Sequence, residues 1–323
     1  MKFEKKDNPL SIELKNEELK KLYFKLWNQG YVKINSVISK EEALTIKRNF
    51  ENNLPNLRPQ SKRWTEFSQF EYMVPPFGDE NAIVWSNIAA RNKNIDKILN
   101  KIFTNKVLNQ LLILTLGKNF KVWEISIRRA LKNDQGLSIH QDAFGELGIS
   151  LLLNDHRDAL GTTSIIPKSH RFSVGCRESG AETYLKPSIM KYFTKPLVGS
   201  AGDLFLFFKH TWHGRIKGKS NQISDCILMG IFGSGYKYKP FKISSKMVRN
   251  VPKKLSELIR SDLGLKSVGE DYFEVISKEK QNRLIDFIYE KKYQNRSVWN
   301  NVKYIKPILD VTRTSIKSIM LKK

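Results

Sequence analysis

Apolar residues recur at helical spacing through the first hundred positions and at strand spacing after residue 120. Over residues 16–29, Leu19, Leu22, Tyr23, Leu26 and Trp27 fall on one stripe, and Gly30 ends it. A short strand is predicted at Tyr31–Ile34. Ser39 followed by Lys-Glu-Glu reads as an N-cap opening a second helix toward Phe50. Residues 51–85, rich in Asn, Pro and aromatics, read as loop, and with Asn8 and Ser11 as a candidate lid. A third helix is predicted over 93–117, where Ile95, Ile98, Leu99 and Ile102 share a face.

From 120 onward the pattern is of short strands: KVWEISIRRAL, LGISLLLND, GTTSIIP, GDLFLFF, TWHGRI and DCILMGIFG, separated by Gly, Asn, Asp and Ser. Such spacing predicts a β barrel or sandwich over 120–235, preceded by helices. The expected fold class is therefore mainly β with flanking helices. In 236–323 apolar residues return to helical spacing, with 21 Lys/Arg against 9 Asp/Glu. That division predicts a main domain over 1–235 and a basic, mostly helical C-terminal extension over 236–323.

Composition narrows the class. With 323 residues, 40% hydrophobic and 11% aromatic, the chain can bury a substantial core. The formal charge of +24 favours anionic partners. Anionic or sugar-linked small molecules fit, as does peripheral contact of the terminal basic helix with an anionic membrane. No helix-turn-helix, RNP or zinc pattern supports specific nucleic-acid binding. Only Cys176 and Cys226 occur, without metal-like spacing, which fits a reducing compartment. The N-terminal segment lacks an apolar signal core, and no apolar run approaches the roughly 20 residues of a membrane span. A cytoplasmic protein, peripheral at most to a membrane surface, is expected.

The candidate chemistry lies in His140-Gln-Asp142 and, about 70 residues later, His213. Residues i and i+2 of a strand share a face, so an imidazole and a carboxylate can converge there on one ion. A third ligand from a distant strand completes two imidazoles and one carboxylate. That set leaves three positions open and suits non-haem iron(II) oxygenases.

The order SIHQD, LLLND, GTTSIIPKSH, GDLFLFFKHTWHGR and SNQISDCILMGIF resembles the phytanoyl-CoA dioxygenase family. Pro167-Lys-Ser-His170 stands for that family's turn after the HxD strand. Gly202-Asp203 stands for its step before the distal histidine. NQGYVKINSVISKEEALTIKRNF is similar to its opening helix, strand and helix. The resemblance covers about residues 16–235. It implies a double-stranded β-helix (jelly-roll, cupin-like) core, iron(II), 2-oxoglutarate as cosubstrate, and dioxygen. The implied outcome is hydroxylation of an aliphatic carbon of a small or medium-sized metabolite. The implied metal ligands are His140, Asp142 and His213, and the carboxylate at 142 argues against a halogenating variant.

One position departs from the family. An arginine about eleven residues after the distal histidine usually clamps the far carboxylate of 2-oxoglutarate, but residue 224 is Ser and no arginine lies between Arg215 and Arg249. Arg215, two residues beyond His213, is the first substitute. Arg128 or Arg129 is the second, and only one of that adjacent pair can face inward on a regular strand. Among the remaining histidines, His210 reads as structural, His170 as a backbone hydrogen-bonding residue of the turn, and His156 as a loop residue. Trp85, Trp123 and Trp212 read as core or pocket lining. The alternative reading is a catalytically silent β-helix protein that binds an anionic surface or nucleic acid through its basic tail.

Overall fold

The computed structural model describes residues 16–53, 58–59, 72–73, 82–85, 88–130, 136–142, 146–157, 162–171, 192–216, 223–233 and 249–259. The lid segment and the last basic helix of the tail lie outside these residues, except for three short strands between 58 and 85. Helix α1 (Glu17–Gln29) leads to β1 (Tyr31–Ile34) and α2 (Lys40–Asn53). Strands β2 (Arg58–Pro59), β3 (Tyr72–Met73) and β4 (Ala82–Trp85) occupy part of the stretch expected as loop. Next come α3 (Lys93–Thr104), α4 (Lys106–Leu116), β5 (Lys121–Ala130), β6 (Gly136–His140), β7 (Glu146–Leu152) and β8 (Thr163–Ile165). The order ends with β9 (Lys195–Pro196), β10 (Leu204–Phe208), β11 (His213–Ile216), β12 (Ser224–Phe232) and α5 (Lys253–Ile259).

Local chemistry explains these boundaries. The Asn16 side chain accepts from Leu19 N–H to open α1, and Gly30, at φ 84°, closes it. Ser39 and Glu42 bond each other's backbone N–H at 3.2 and 2.7 Å, a reciprocal cap that opens α2 as the sequence predicts. The helix expected over 93–117 is two helices. Asn105 leaves helical geometry at ψ 121° and uses its side chain to accept from Leu108 N–H, so it ends α3 and caps α4.

Two sheets form, of eight strands (β1-β10-β7-β12-β5-β4-β3-β2) and four strands (β6-β11-β8-β9). All pairs are antiparallel except β2–β3. Among the described residues the sheets do not join into a closed barrel, so the architecture is a mixed α/β one of two sheets with flanking helices. The helices cover one face of the large sheet, where Ile125, Ile127, Ile149, Leu206, Phe208 and Ile227 pack with Leu26, Trp27, Leu99, Phe103 and Leu112. The other face turns toward the small sheet: Leu152, Phe205 and Phe207 pack with Ile165 of β8. Because side chains alternate along a strand, Glu124, Ser126 and Arg128 of β5 share that inter-sheet face with Cys226, their register neighbour through Arg128. Of the C-terminal extension, α5 buries Leu255, Leu258 and Ile259 in the helical core, and Asn100 accepts from Leu255 N–H. No helix among the described residues is long and apolar enough to cross a membrane.

The Gly202-Asp203 step is a structural joint. Gly202, at φ 93°, brings its carbonyl to Val37 N–H at 3.0 Å, and a Cβ there would lie 2.2 Å from the Ile38 carbonyl oxygen. Asp203 accepts from Ser36 and Ser200 N–H and pairs with Lys33 at 2.6 Å. Gly202→Ala therefore combines a left-handed backbone with a backbone clash and should cost about 2–5 kcal/mol. A urea midpoint unchanged from wild type would contradict this.

Candidate metal centre

His140 ends β6, Asp142 follows it, and His213 opens β11 directly opposite His140 in the antiparallel register. Their ring centroids are 4.6 Å apart. Asp142 Oδ1 lies 3.5 Å from His140 Nε2, and Oδ2 lies 3.5 Å from His213 Nε2. One ligand atom from each residue falls within 4.8 Å of the others. Donors about 2.1 Å from one ion and at right angles to each other stand about 3 Å apart, so small inward rotations suffice. Two imidazole nitrogens and one carboxylate oxygen fit iron(II) in chemistry as well as in placement.

The backbone around 207–213 aims these ligands. The Thr211 carbonyl can only accept, so at 2.8 Å it receives a hydrogen bond from His213 Nδ1–H and leaves Nε2 as the ligand nitrogen. Gln141 Nε2 donates to the His210 carbonyl at 2.6 Å, and Asp142 N–H donates to the Lys209 carbonyl at 3.0 Å. Phe207 packs its ring 5.2 Å from that of His213. Gly148 stands opposite Phe207, where a Cβ would come within 2.4 Å of the phenyl ring. The missing side chain at 148 is thus what lets Phe207 support His213.

Charge is arranged around Asp142. Burial would push its carboxyl up, but the Lys209 ammonium, His213 and His140 outweigh that and hold it well below the usual carboxylate range. Lys209 Nζ is 3.5 Å from Asp142 Oδ2, 3.5 Å from Glu146 Oε2 and 3.9 Å from Glu124 Oε2. Burial raises the Glu124 carboxyl, opposed by Lys209 and by the Ser126 hydroxyl.

The arginines divide as strand alternation requires. Arg129 forms a bidentate pair with buried Asp225 at 2.7 and 2.6 Å and a third bond to Glu51 at 2.9 Å, which commits it to the joint between β5, β12 and α2. Arg128 sits opposite Cys226 in register. Burial pushes the Cys226 thiol up to about 11, while the positive charges of Arg128 and Arg215 pull it down. Ser224 pairs with Ala130 at the strand end.

The other histidines are structural. His170 Nε2 donates to the Trp27 carbonyl at 2.9 Å, and burial pushes its ring down to about 3. His210 is buried and stacks on Phe208 with an interplanar angle of 17°. His156, expected in a loop, is buried in a bridge to Gly199 and bonded to Thr162 Oγ1 and the Asp225 carbonyl. Trp85 is core, stacked on Phe50, and Trp212 packs on Ile139 and Ile166. Sequence reasoning passed over Lys209, Glu124, Glu146 and Cys226. A signal for part of this set existed: β5 reads Glu, Ser, Arg at alternate positions between buried isoleucines, a polar row on a strand covered on both faces.

The family model for Phytanoyl-CoA dioxygenase (PhyH) matches residues 27–223. No curated protein matches the chain. Among solved structures, EctD from S. alaskensis in its apoform is 17% identical over 73% of this chain and 85% of its own, with a TM-score of 0.54. The epimerase SnoN, in complex with Fe3+, alpha ketoglutarate and nogalamycin RO, is 15% identical over 76% of this chain and 94% of its own, with a TM-score of 0.52. At these identities the likeness is one of fold.

Proposed function

Since the chain belongs to the phytanoyl-CoA dioxygenase family, we propose that it is an iron(II)/2-oxoglutarate-dependent hydroxylase of a small or medium-sized molecule. The observation that carries this is the convergence of His140, Asp142 and His213. Triad and family together support the iron/2-oxoglutarate oxygenase mechanism. The two sheets are then the walls of a double-stranded β-helix, with 1–235 as the catalytic domain and 236–323 as an extension. The charge of +24 supports an anionic or sugar-linked substrate and a peripheral contact with anionic membrane. A buried free thiol at Cys226 supports a cytoplasmic location.

His140, Asp142 and His213 would hold the metal. Bound iron(II), with 2-oxoglutarate and dioxygen, supplies the oxidising power for hydroxylating an aliphatic C–H bond, with succinate and carbon dioxide as co-products. The protein's share is positioning. Thr211 keeps the His213 Nε2 lone pair available, and Phe207 fixes that ring from the side. Arg128, opposite Cys226 in register, and Arg215, two residues beyond His213, would hold the far carboxylate of the cosubstrate by paired hydrogen bonds. Leu152, Ile165, Phe205 and Phe207 exclude water from the adjoining part of the inter-sheet space.

The reading is tested by adding iron(II) and then 2-oxoglutarate to the anaerobic protein. A visible metal-to-ligand charge-transfer band is expected, absent in His213→Ala. Bound iron without a band would point to another cosubstrate. Neither iron nor band would favour a silent binding protein.

A further inference from the structure

Lys209 follows β10 with its side chain only 11% exposed, and its main chain is tied on both sides. Its N–H donates to the Glu146 carbonyl and its carbonyl accepts from Asp142 N–H, both at 3.0 Å. The position of the residue is thus set by the backbone, and its ammonium is directed at carboxylates. That ammonium is 3.5 Å from Asp142 Oδ2, which also lies 3.5 Å from His213 Nε2, while the other oxygen, Oδ1, is 3.5 Å from His140 Nε2 and is not the one paired with Lys209. On its far side Glu146 Oε2, also at 3.5 Å, counters the pull of Asp142.

A carboxylate can grip a metal with one oxygen or with two. Beside two imidazoles, a two-oxygen grip leaves two of six positions, whereas a chelating cosubstrate and dioxygen together need three. Nothing in a lone aspartate forbids the second oxygen from turning onto the ion. A cation fixed beside that oxygen does, because turning would break an ion pair with a poorly hydrated ammonium. We propose that Lys209 is a positioning residue: it holds one Asp142 oxygen away from the metal, so that Asp142 ligates through a single oxygen and three positions stay open. This rests on the iron/2-oxoglutarate reading and adds to it a residue that the triad motif does not contain.

Two roles for Lys209 make different forecasts. If it merely neutralises buried Glu146, removing both charges together restores the site. If it holds Asp142, removing both leaves the fold intact and the defect in place. Anaerobic titrations therefore compare wild type, Lys209→Met, Lys209→Arg and the double variant Lys209→Met/Glu146→Gln. Iron(II) affinity is read by competition with a chelating dye, and 2-oxoglutarate affinity by the charge-transfer band.

Lys209→Met and the double variant should keep iron(II) affinity within about threefold while losing at least about tenfold in 2-oxoglutarate affinity. Lys209→Arg should recover most of the loss. The double variant decides the matter even if Lys209→Met alone fails to fold. A double variant that binds 2-oxoglutarate like wild type overturns the inference alone. A wild-type protein that binds neither iron nor 2-oxoglutarate overturns the oxygenase reading and this inference with it.

Discussion

Asp142→Ala is expected to yield a folded protein that has lost iron(II) affinity by at least about 100-fold and has no substrate-coupled turnover. The expectation rests on where the carboxylate sits. Its side chain is 31% exposed, so its removal opens no core cavity. The Lys209 ammonium lies 3.5 Å from it, and without the carboxylate that charge repels a cation. Loss of a partner behind a metal ligand typically costs 10- to 100-fold in metal affinity or activity, and loss of the anionic ligand itself falls on metal affinity directly. Equilibrium dialysis with iron quantification, alongside circular dichroism to verify the fold, separates the metal effect from unfolding. Full turnover in the variant would remove the metal assignment.

The second large effect concerns the arginines. Arg215→Met is expected to weaken 2-oxoglutarate by about 100-fold, because truncating one partner of a buried, hydrogen-bonded charge pair costs about 2–5 kcal/mol. Arg128→Met should weaken it by a similar or smaller factor. Arg215→Lys should fail to restore wild-type affinity, since an ammonium cannot reproduce the planar two-bond grip. Arg129→Met serves as the contrast. It strands Asp225, which is fully buried, so its cost of about 3–5 kcal/mol should appear in stability and not in cosubstrate affinity. Unchanged 2-oxoglutarate binding in an Arg128→Met/Arg215→Met variant would show that the cosubstrate is held elsewhere. The charge-transfer band measures each of these directly.

The sequence made the site legible where the chemistry follows a short spacing. His140 and Asp142 are two apart at the end of one strand, and His213 is marked by the glycine-aspartate step before it. The same alternation foretold that Arg128 and Arg129 must part, and they do. What stayed hidden depends on pairing between distant segments. Lys209 looks like any surface lysine until β10 is laid against β7 and its ammonium meets Glu146. His156 reads as a loop residue because its partners, Gly199 and Asp225, are 43 and 69 positions away. The joint at Asn105 was missed for a different reason: the hydrophobic stripe continues across it, and only the side-chain cap reveals that the helix restarts.

The latch beneath the metal site also bears on when the site can form. The turn after α1 holds it from below: Gly30 accepts from Phe208 N–H at 3.0 Å and from Thr211 Oγ1 at 3.1 Å, Gln29 accepts from Lys168 N–H, and Trp27 accepts from His170. The bond from Thr211 to Gly30 spans 181 positions. At ribosomal speeds of roughly 5–20 residues per second, the turn emerges on the order of ten to forty seconds before the segment it must grip. Helix α1 can form early, but its carbonyls and apolar face wait for most of the chain to be made. The metal site therefore cannot form before residue 213 has emerged, and until then the nascent chain carries its histidines apart.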